Sequence, residues 1–212
     1  FLAENYDYKA NTYETNKINL LSNPTSLYTK QPTVYYGLMY LAKNAKKEVK
    51  IHTPYIICND YMYNELKNIK VPTTIMTNSA ENNGNIFGAV DYLNHKKDII
   101  NTGVTIKEYE GGISYHGKSM TIDDDIAIVG SFNMDMRSAY IDTELMLVIN
   151  SKYINKQLKA SMEEYEKKAA TVKNETEYSH IPEGMKMKEL SDKKKNIKAW
   201  FGWAMNGLRF LF

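Results

Sequence analysis

The stretch "HGKSMTIDDDIAIVGSFN", His116 to Asn133, sets an imidazole, an ammonium, a hydroxyl and an amide at fixed offsets. His116 and Lys118 stand two residues apart, as do Ser131 and Asn133 in a G-S-x-N turn. Residues two apart on a strand point to the same face, so each pair can present both side chains to one surface. The result is a cluster rich in hydrogen-bond donors. It suits a phosphate anion and the added charge of a pentacoordinate transition state. An imidazole that titrates near neutrality can attack phosphorus as the free base and leave later. With donors on the phosphate oxygens, this chemistry needs no metal or other cofactor. A lone histidine beside a strand is more often a satisfied polar residue; the co-occurrence is what makes a site. Asp124 and Asp125 read as a solvated turn. A metal reading of the triple aspartate lacks a second carboxylate cluster at matching spacing.

His116, Lys118 and Asp123 spell H-x-K-x4-D, with Gly130-Ser131-x-Asn133 behind them. This resembles the HKD signature of the phospholipase D superfamily, and the resemblance runs past the motif. "KINLLSNPTSLYTKQPTVYYGLMYLAKNAKKEVKIHTPYI" looks like the run opening the second half of two-motif bacterial cardiolipin synthases and related lipid phosphodiesterases. "MTNS" and "GVTIKEYEGG" precede the motif as they do there, and "NMDMRSAYIDTEL" resembles the family's N-x-D-x-R-S stretch. The likeness covers about residues 18–150. It implies that His116 becomes covalently phosphorylated and that Lys118, Ser131 and Asn133 bind phosphate. It puts the motif's aspartate at Asp123, in a structural role. Glu144 falls where a carboxylate orients the nucleophilic imidazole, the general logic of a base held by a third group.

The family works with two such motifs, and this chain carries one. His95-Lys96-Lys97 gives H-x-K, but Thr102 stands where the aspartate belongs; His52 and His180 have no lysine two residues on. The second histidine, which would protonate the leaving alcohol and activate the acceptor, is therefore expected from an N-terminal half preceding Phe1 or from a second protomer. The expected activity is phosphodiester transfer or hydrolysis on a phospholipid such as phosphatidylglycerol, with this chain as one catalytic half. The expected location is peripheral, on the cytoplasmic side of the membrane. Two alternatives stand beside it: a metal-independent nuclease acting as a homodimer, and a non-catalytic phospholipid-binding half. Twenty-seven basic against 25 acidic residues, a net charge of +2, make nucleic acid the less favoured partner, because tracking its backbone usually takes a basic groove. An intact His116 argues against a mere binder.

The elements that must position these residues follow from pattern. "PTVYYGLMYLAKNAKK" has helical spacing at Tyr36, Met39, Tyr40 and Ala42, proline at its start and lysines at its end. "EVKIHTPYII", "VPTTIMTNS", "VTIKEYE" and "DTELMLVIN" read as strands, and residues 118–123 and 126–129 as a tight strand pair. Helices are expected at about 60–69, over "GNIFGAVDYLNHKKDIINTG" with its stop at Gly103, and at about 151–170. Alternating strands and helices predict an α/β domain, a mixed and mostly parallel sheet sandwiched by helices. With 212 residues, 43% hydrophobic, the chain can bury a full core. The single cysteine, Cys58, reads as a buried thiol. The division expected is an irregular lead-in over 1–31, the HKD domain over 32–170, a polar linker over 171–191 and an amphipathic helix over 192–212. That last segment puts Ile197, Trp200, Phe201, Ala204, Met205, Leu208, Leu211 and Phe212 on one stripe. The stripe would dock on the domain or on the absent half, or lie in a membrane interface.

Overall fold

The computed structural model describes residues 7–211 apart from 8, 11, 26, 27, 29 and 202–206. Its centre is a nine-stranded sheet in the order β1-β9-β7-β6-β2-β4-β5-β10-β11. In chain order the strands are β1 Lys17–Ser22, β2 Val49–His52, β3 Ile56–Ile57, β4 Thr73–Asn78, β5 Thr105–Tyr109 and β6 Ser119–Ile122. Then come β7 Ile126–Gly130, β8 Met134–Asp135, β9 Leu145–Asn150, β10 Ala169–Val172 and β11 Tyr178–His180. The short β3 and β8 pair separately. The helices are α1 Thr33–Lys43, α2 Asp60–Lys67, α3 Ile86–Ile100, α4 Met136–Tyr140, α5 Lys152–Glu166 and α6 Asp192–Phe201. The α/β class and the helix-flanked mixed sheet are as expected. The balance of directions is not: β2–β4 and β4–β5 are parallel, while the remaining six pairings of the large sheet are antiparallel. Helices α2 and α3 supply the crossovers that parallel pairing needs, whereas the acidic turn after β6 needs only a hairpin.

Alternation sorts the two faces. Ile51, Met120, Ile128 and Met146 point to one side and meet Val34, Tyr35, Leu38 and Met39 of α1 in the main core. Tyr36 and Tyr40, assigned from spacing to the same helical stripe, lie on the solvent side of α1. Cys58 is fully buried in this core, as expected, and burial pushes its thiol pKa far up. The opposite face is more polar. There α5 covers the sheet, and Glu166 on it receives Lys107 at 2.7 Å, His52 at 3.3 Å and Lys50 at 3.4 Å. Burial alone would raise the Glu166 pKa; the hydrogen bonds from His52 and Lys107 and the charges of Lys107 and Lys50 hold it at about 2.

Two segments read as irregular belong to the sheet. Residues 17–22, inside the expected lead-in, pair antiparallel with β9 along its length. Residues 169–172 and 178–180, partly inside the expected linker, add β10 and β11 at the other edge. Both strands are polar outward, so alternation there was weak. Of the expected tail helix, α6 is described over Asp192–Phe201 and a 3-10 turn over Arg209–Leu211; the stripe positions Ala204, Met205 and Phe212 lie outside the described residues, as does the side chain of Phe201. Trp200 is 77% exposed. Among the described residues, two cations attach the tail. Lys194 donates to the carbonyl oxygens of Ala80, Glu81 and Asn83 at 2.8, 2.5 and 3.0 Å. Arg209 pairs with buried Asp91 at 2.6 and 3.1 Å and donates to the Cys58 carbonyl at 2.9 Å.

Asp123 closes the β6–β7 hairpin. It sits at a left-handed φ of 51°, a conformation that aspartate tolerates better than most side chains. Its carboxylate accepts from the backbone N–H groups of Lys46, Lys47 and Glu48 at 2.7 to 3.2 Å, tying the end of the α1–β2 loop to β6. Burial would raise its pKa, but these three donors hold it below the ordinary value. Asp123→Ala should cost about 2 kcal/mol of stability, since it orphans several donors at once. The shift is downward, so the carboxylate's contribution is present above the ordinary pKa and lost as the pH falls below it. Urea midpoints for Asp123→Ala and the parent chain at pH 7 and pH 3 measure both effects: the gap should narrow in acid.

Candidate active site

The expected site residues come from three places and meet at one end of the sheet. His116 and Lys118 lie in the extended segment just before β6, Ser131 and Asn133 just after β7, and Glu144 just before β9. The carboxyl ends of the parallel strands β2 and β4 open on the same edge, where ligands gather in α/β sheets. Gly130 lets β7 and β9 approach. A Cβ there would stand 2.1 Å from the Leu145 carbonyl oxygen, so no other residue fits without moving backbone. Gly117, between the histidine and the lysine, lies on the Tyr115 ring, whose hydroxyl would be 2.3 Å from an added Cβ.

Lys118 Nζ donates to His116 Nδ1 at 3.1 Å and to the His116 carbonyl oxygen at 2.8 Å. The imidazole is exposed and the ammonium half-buried. Burial, and then the Lys118 charge, hold the His116 pKa below its ordinary value. Burial also lowers that of Lys118, against the pull of the Glu144 and Asp135 carboxylates. A histidine so placed is the free base over more of the neutral range, which is what a nucleophile toward phosphorus requires. The expected consequence is an acid limb in kcat/KM centred below about 6.5, the ordinary histidine value; a pH–rate profile of the assembled enzyme reads it directly.

Glu144 is buried and does not reach His116. One carboxylate oxygen accepts a very short hydrogen bond from the Ser131 hydroxyl, the other accepts from the Ser138 hydroxyl at 2.8 Å. The expected orienting role is thus replaced in this arrangement by a hold on two serines and a field on Lys118. Ser131 is drawn inward: its hydroxyl accepts from Leu145 N at 3.1 Å and its own N–H donates to the Leu145 carbonyl at 2.9 Å. Asn133 donates weakly to Ser138 Oγ at 3.4 Å, and its Oδ1 is buried without a hydrogen-bond partner. Asp123 stands apart from all of these, at the far end of β6.

Two participants escaped the sequence reading. Asp135 is buried and accepts from Ser138 N at 2.5 Å, capping α4. Burial pushes its pKa up to about 6, so its pull on Lys118 weakens in mild acid. The N-M-D spacing after Asn133 was the available signal. His52 is the other. Its Nδ1 meets the Tyr115 hydroxyl at 3.2 Å and its Nε2 meets Glu166 at 3.3 Å, which braces the residue preceding His116. Nothing in sequence joins His52 to Glu166, 114 residues away.

A family profile described as the PLD-like domain of cardiolipin synthase matches residues 38–165. The chain belongs to the phospholipase D-like family. Among curated relatives, this phospholipase D-like chain is 30% identical over 159 residues to cardiolipin synthase 1 of Staphylococcus epidermidis, covering 74% of the chain and 32% of that protein. It is 31% identical over 129 residues to cardiolipin synthase of Staphylococcus aureus strain Mu50, covering 59% and 26%. The chain therefore spans about a third or less of the relatives it matches. Solved structures agree on the fold. The phosphatidylserine synthase of Haemophilus influenzae superimposes with a TM-score of 0.65 at 16% identity, over 92% of this chain and 48% of that one. A phospholipase D family member, Nuc from Salmonella typhimurium, gives 0.58 at 16% identity, over 74% and 97%.

Proposed function

We propose that this phospholipase D-like chain is one catalytic half of an enzyme that moves a phosphatidyl group between alcohols through a phosphohistidine at His116. The observation that carries the reading is the imidazole–ammonium pair of His116 and Lys118, set beside the buried carboxylates of Glu144 and Asp135. In the first step the imidazole lone pair attacks phosphorus and a P–N bond forms. The P–O bond to the leaving alcohol breaks, and the departing oxygen takes a proton from an acid. In the second step an acceptor hydroxyl gives its proton to the resulting base and attacks phosphorus. The P–N electrons return to His116. Lys118 and Asn133 supply donors to the phosphoryl oxygens, whose charge grows in each transition state.

The acid is assigned to a second histidine on a partner half. A bare apolar strip supports a partner at this end of the sheet. Leu20, Leu147 and Val129 lie in register across β1, β9 and β7 on the α5 face, with Leu20 62% exposed and Leu145 and Val129 also exposed. Such a patch usually marks an interaction surface. The donor proposed is phosphatidylglycerol, by likeness to the cardiolipin synthases, and the site is proposed to work at the cytoplasmic face of a membrane.

Light scattering at micromolar concentration comes first, because a self-associated pair brings two copies of His116 together and a monomer needs its other half added. The assembled protein is then given phosphatidylglycerol vesicles and chelator, with lipids read by mass spectrometry. Cardiolipin is the expected product, or phosphatidic acid where water is the acceptor. Cleavage of single-stranded DNA with lipid left intact would move the reading to nucleic acid. Lipid binding without turnover, unchanged by His116→Ala, would leave a non-catalytic half.

A further inference from the structure

The charge of this chain is divided. Residues 192–212 hold five basic residues and one acidic, a net +4. The whole chain is only +2, so the 191 residues before them are net −2. Helix α6 is where the basic part becomes structure. Lys194 is turned inward and its ammonium is taken by three backbone carbonyls. Its neighbours Lys193, Lys195 and Lys198 are exposed, and among the described residues Lys195 pairs with the exposed Asp192, at 3.7 Å. Trp200, on the same helix, is almost bare. One buried lysine thus pins the helix to the domain, while three other lysines and a tryptophan around it stay exposed.

The loop that grips Lys194 also grips the segment leading into His116. Asn82 Nδ2 donates to the Ile113 carbonyl at 3.1 Å, and Gly84 N donates to Ser114 Oγ at 3.1 Å. Ile113 is 82% exposed. It stands on the rim of a groove of about 530 Å³ that runs past His116 and is walled by Tyr109, Tyr115 and Tyr165. The basic helix and the bare isoleucine are therefore joined through one loop, and the groove lies between the 113–117 segment and α5.

We propose that the exposed lysines and Trp200 of α6, together with Ile113, form a docking surface for an anionic phospholipid bilayer. This rests on the lipid reading of the site and adds to it how the site meets its substrate. Lysines supply attraction to the surface charge, each acting within a Debye length. Trp200 suits headgroup depth, where an amphipathic ring keeps one side wet. Among the described residues, no helix is long and apolar enough to cross a membrane; α6 is suited to lie on one.

Flotation of the full chain tests this with vesicles of equal phosphatidylglycerol and phosphatidylcholine, against phosphatidylcholine alone. The chain should float only with the anionic vesicles and be released by 0.5 M salt. Replacing Lys193, Lys195 and Lys198 with glutamine should lower partitioning on the order of 10²-fold, and Trp200→Ala and Ile113→Ser severalfold. All five positions are exposed, so these variants should keep the parent melting temperature. His116→Ala should float like the parent, and phosphatidylserine should serve as well as phosphatidylglycerol. These two arms separate docking from turnover: a parent chain that floats with anionic vesicles but turns over no lipid counts against the catalytic reading alone. The proposal is overturned if the triple variant floats like the parent, or if neutral vesicles bind equally. It is also overturned if the lysines bind a single-stranded oligonucleotide while anionic vesicles are ignored.

Discussion

His116→Ala is expected to remove phosphatidyl transfer, on the order of 10⁴-fold or more, with the fold unchanged. Deleting the nucleophile of a covalent mechanism removes the route itself, and what remains is the background from binding and charge stabilisation. The imidazole is exposed and among the described residues its hydrogen bonds run to Lys118, so truncation disturbs no core packing and the melting temperature should hold. The decisive readout is the intact mass of the chain quenched during turnover. The parent should carry a phosphatidyl adduct and the variant none. Full activity in the variant would sink the assignment, and an adduct found only on the partner half would recast His116 as the acid.

Lys118→Ala is expected to cost 10²- to 10³-fold in kcat, as for other donors aimed at developing oxyanion charge. It should also move the acid limb upward. Part of what holds His116 below its ordinary pKa is the Lys118 charge, and removing that charge lets the imidazole keep its proton to higher pH. A loss of rate with no movement of the limb would mean that the close contact is absent during turnover. Lys118→Arg should not restore the parent, because a planar guanidinium cannot take the place of a compact ammonium folded onto an imidazole.

The sequence carried the chemistry better than the connections. His116, Lys118, Ser131, Asn133 and Glu144 share one end of the sheet because period-two spacing and the β6–β7 turn are local facts. Asp123 was also legible, since a hairpin closed at a left-handed position favours a short polar side chain. Glu144 shows the limit. Its position can be read from sequence, but its choice of the Ser131 and Ser138 hydroxyls over an imidazole depends on how β9 enters, which no local pattern encodes. The α/β alternation announced the parallel core of β2, β4 and β5. It said little about the edges, because edge strands are half solvated and β1, β10 and β11 are too short or too polar for a strong period. In the tail, the apolar stripe gave no sign of the contacts that Lys194 and Arg209 make with backbone carbonyls and a buried aspartate.

Strand β1 bears on dissection. A boundary drawn at Pro32, where the helical pattern begins, would cut away the only neighbour of β9 on that side. The fragment would bare the edge of β9 along Leu145–Asn150, with the backbone N–H and C=O groups of alternate residues unpaired, flanked by apolar side chains and immediately following Glu144. A raw edge of that kind is a template for other chains, so such a fragment should pair with itself and lose its catalytic geometry to aggregation. The smallest portable unit of this fold starts before Lys17, and a chimaera that swaps halves between relatives should make its join upstream of that strand.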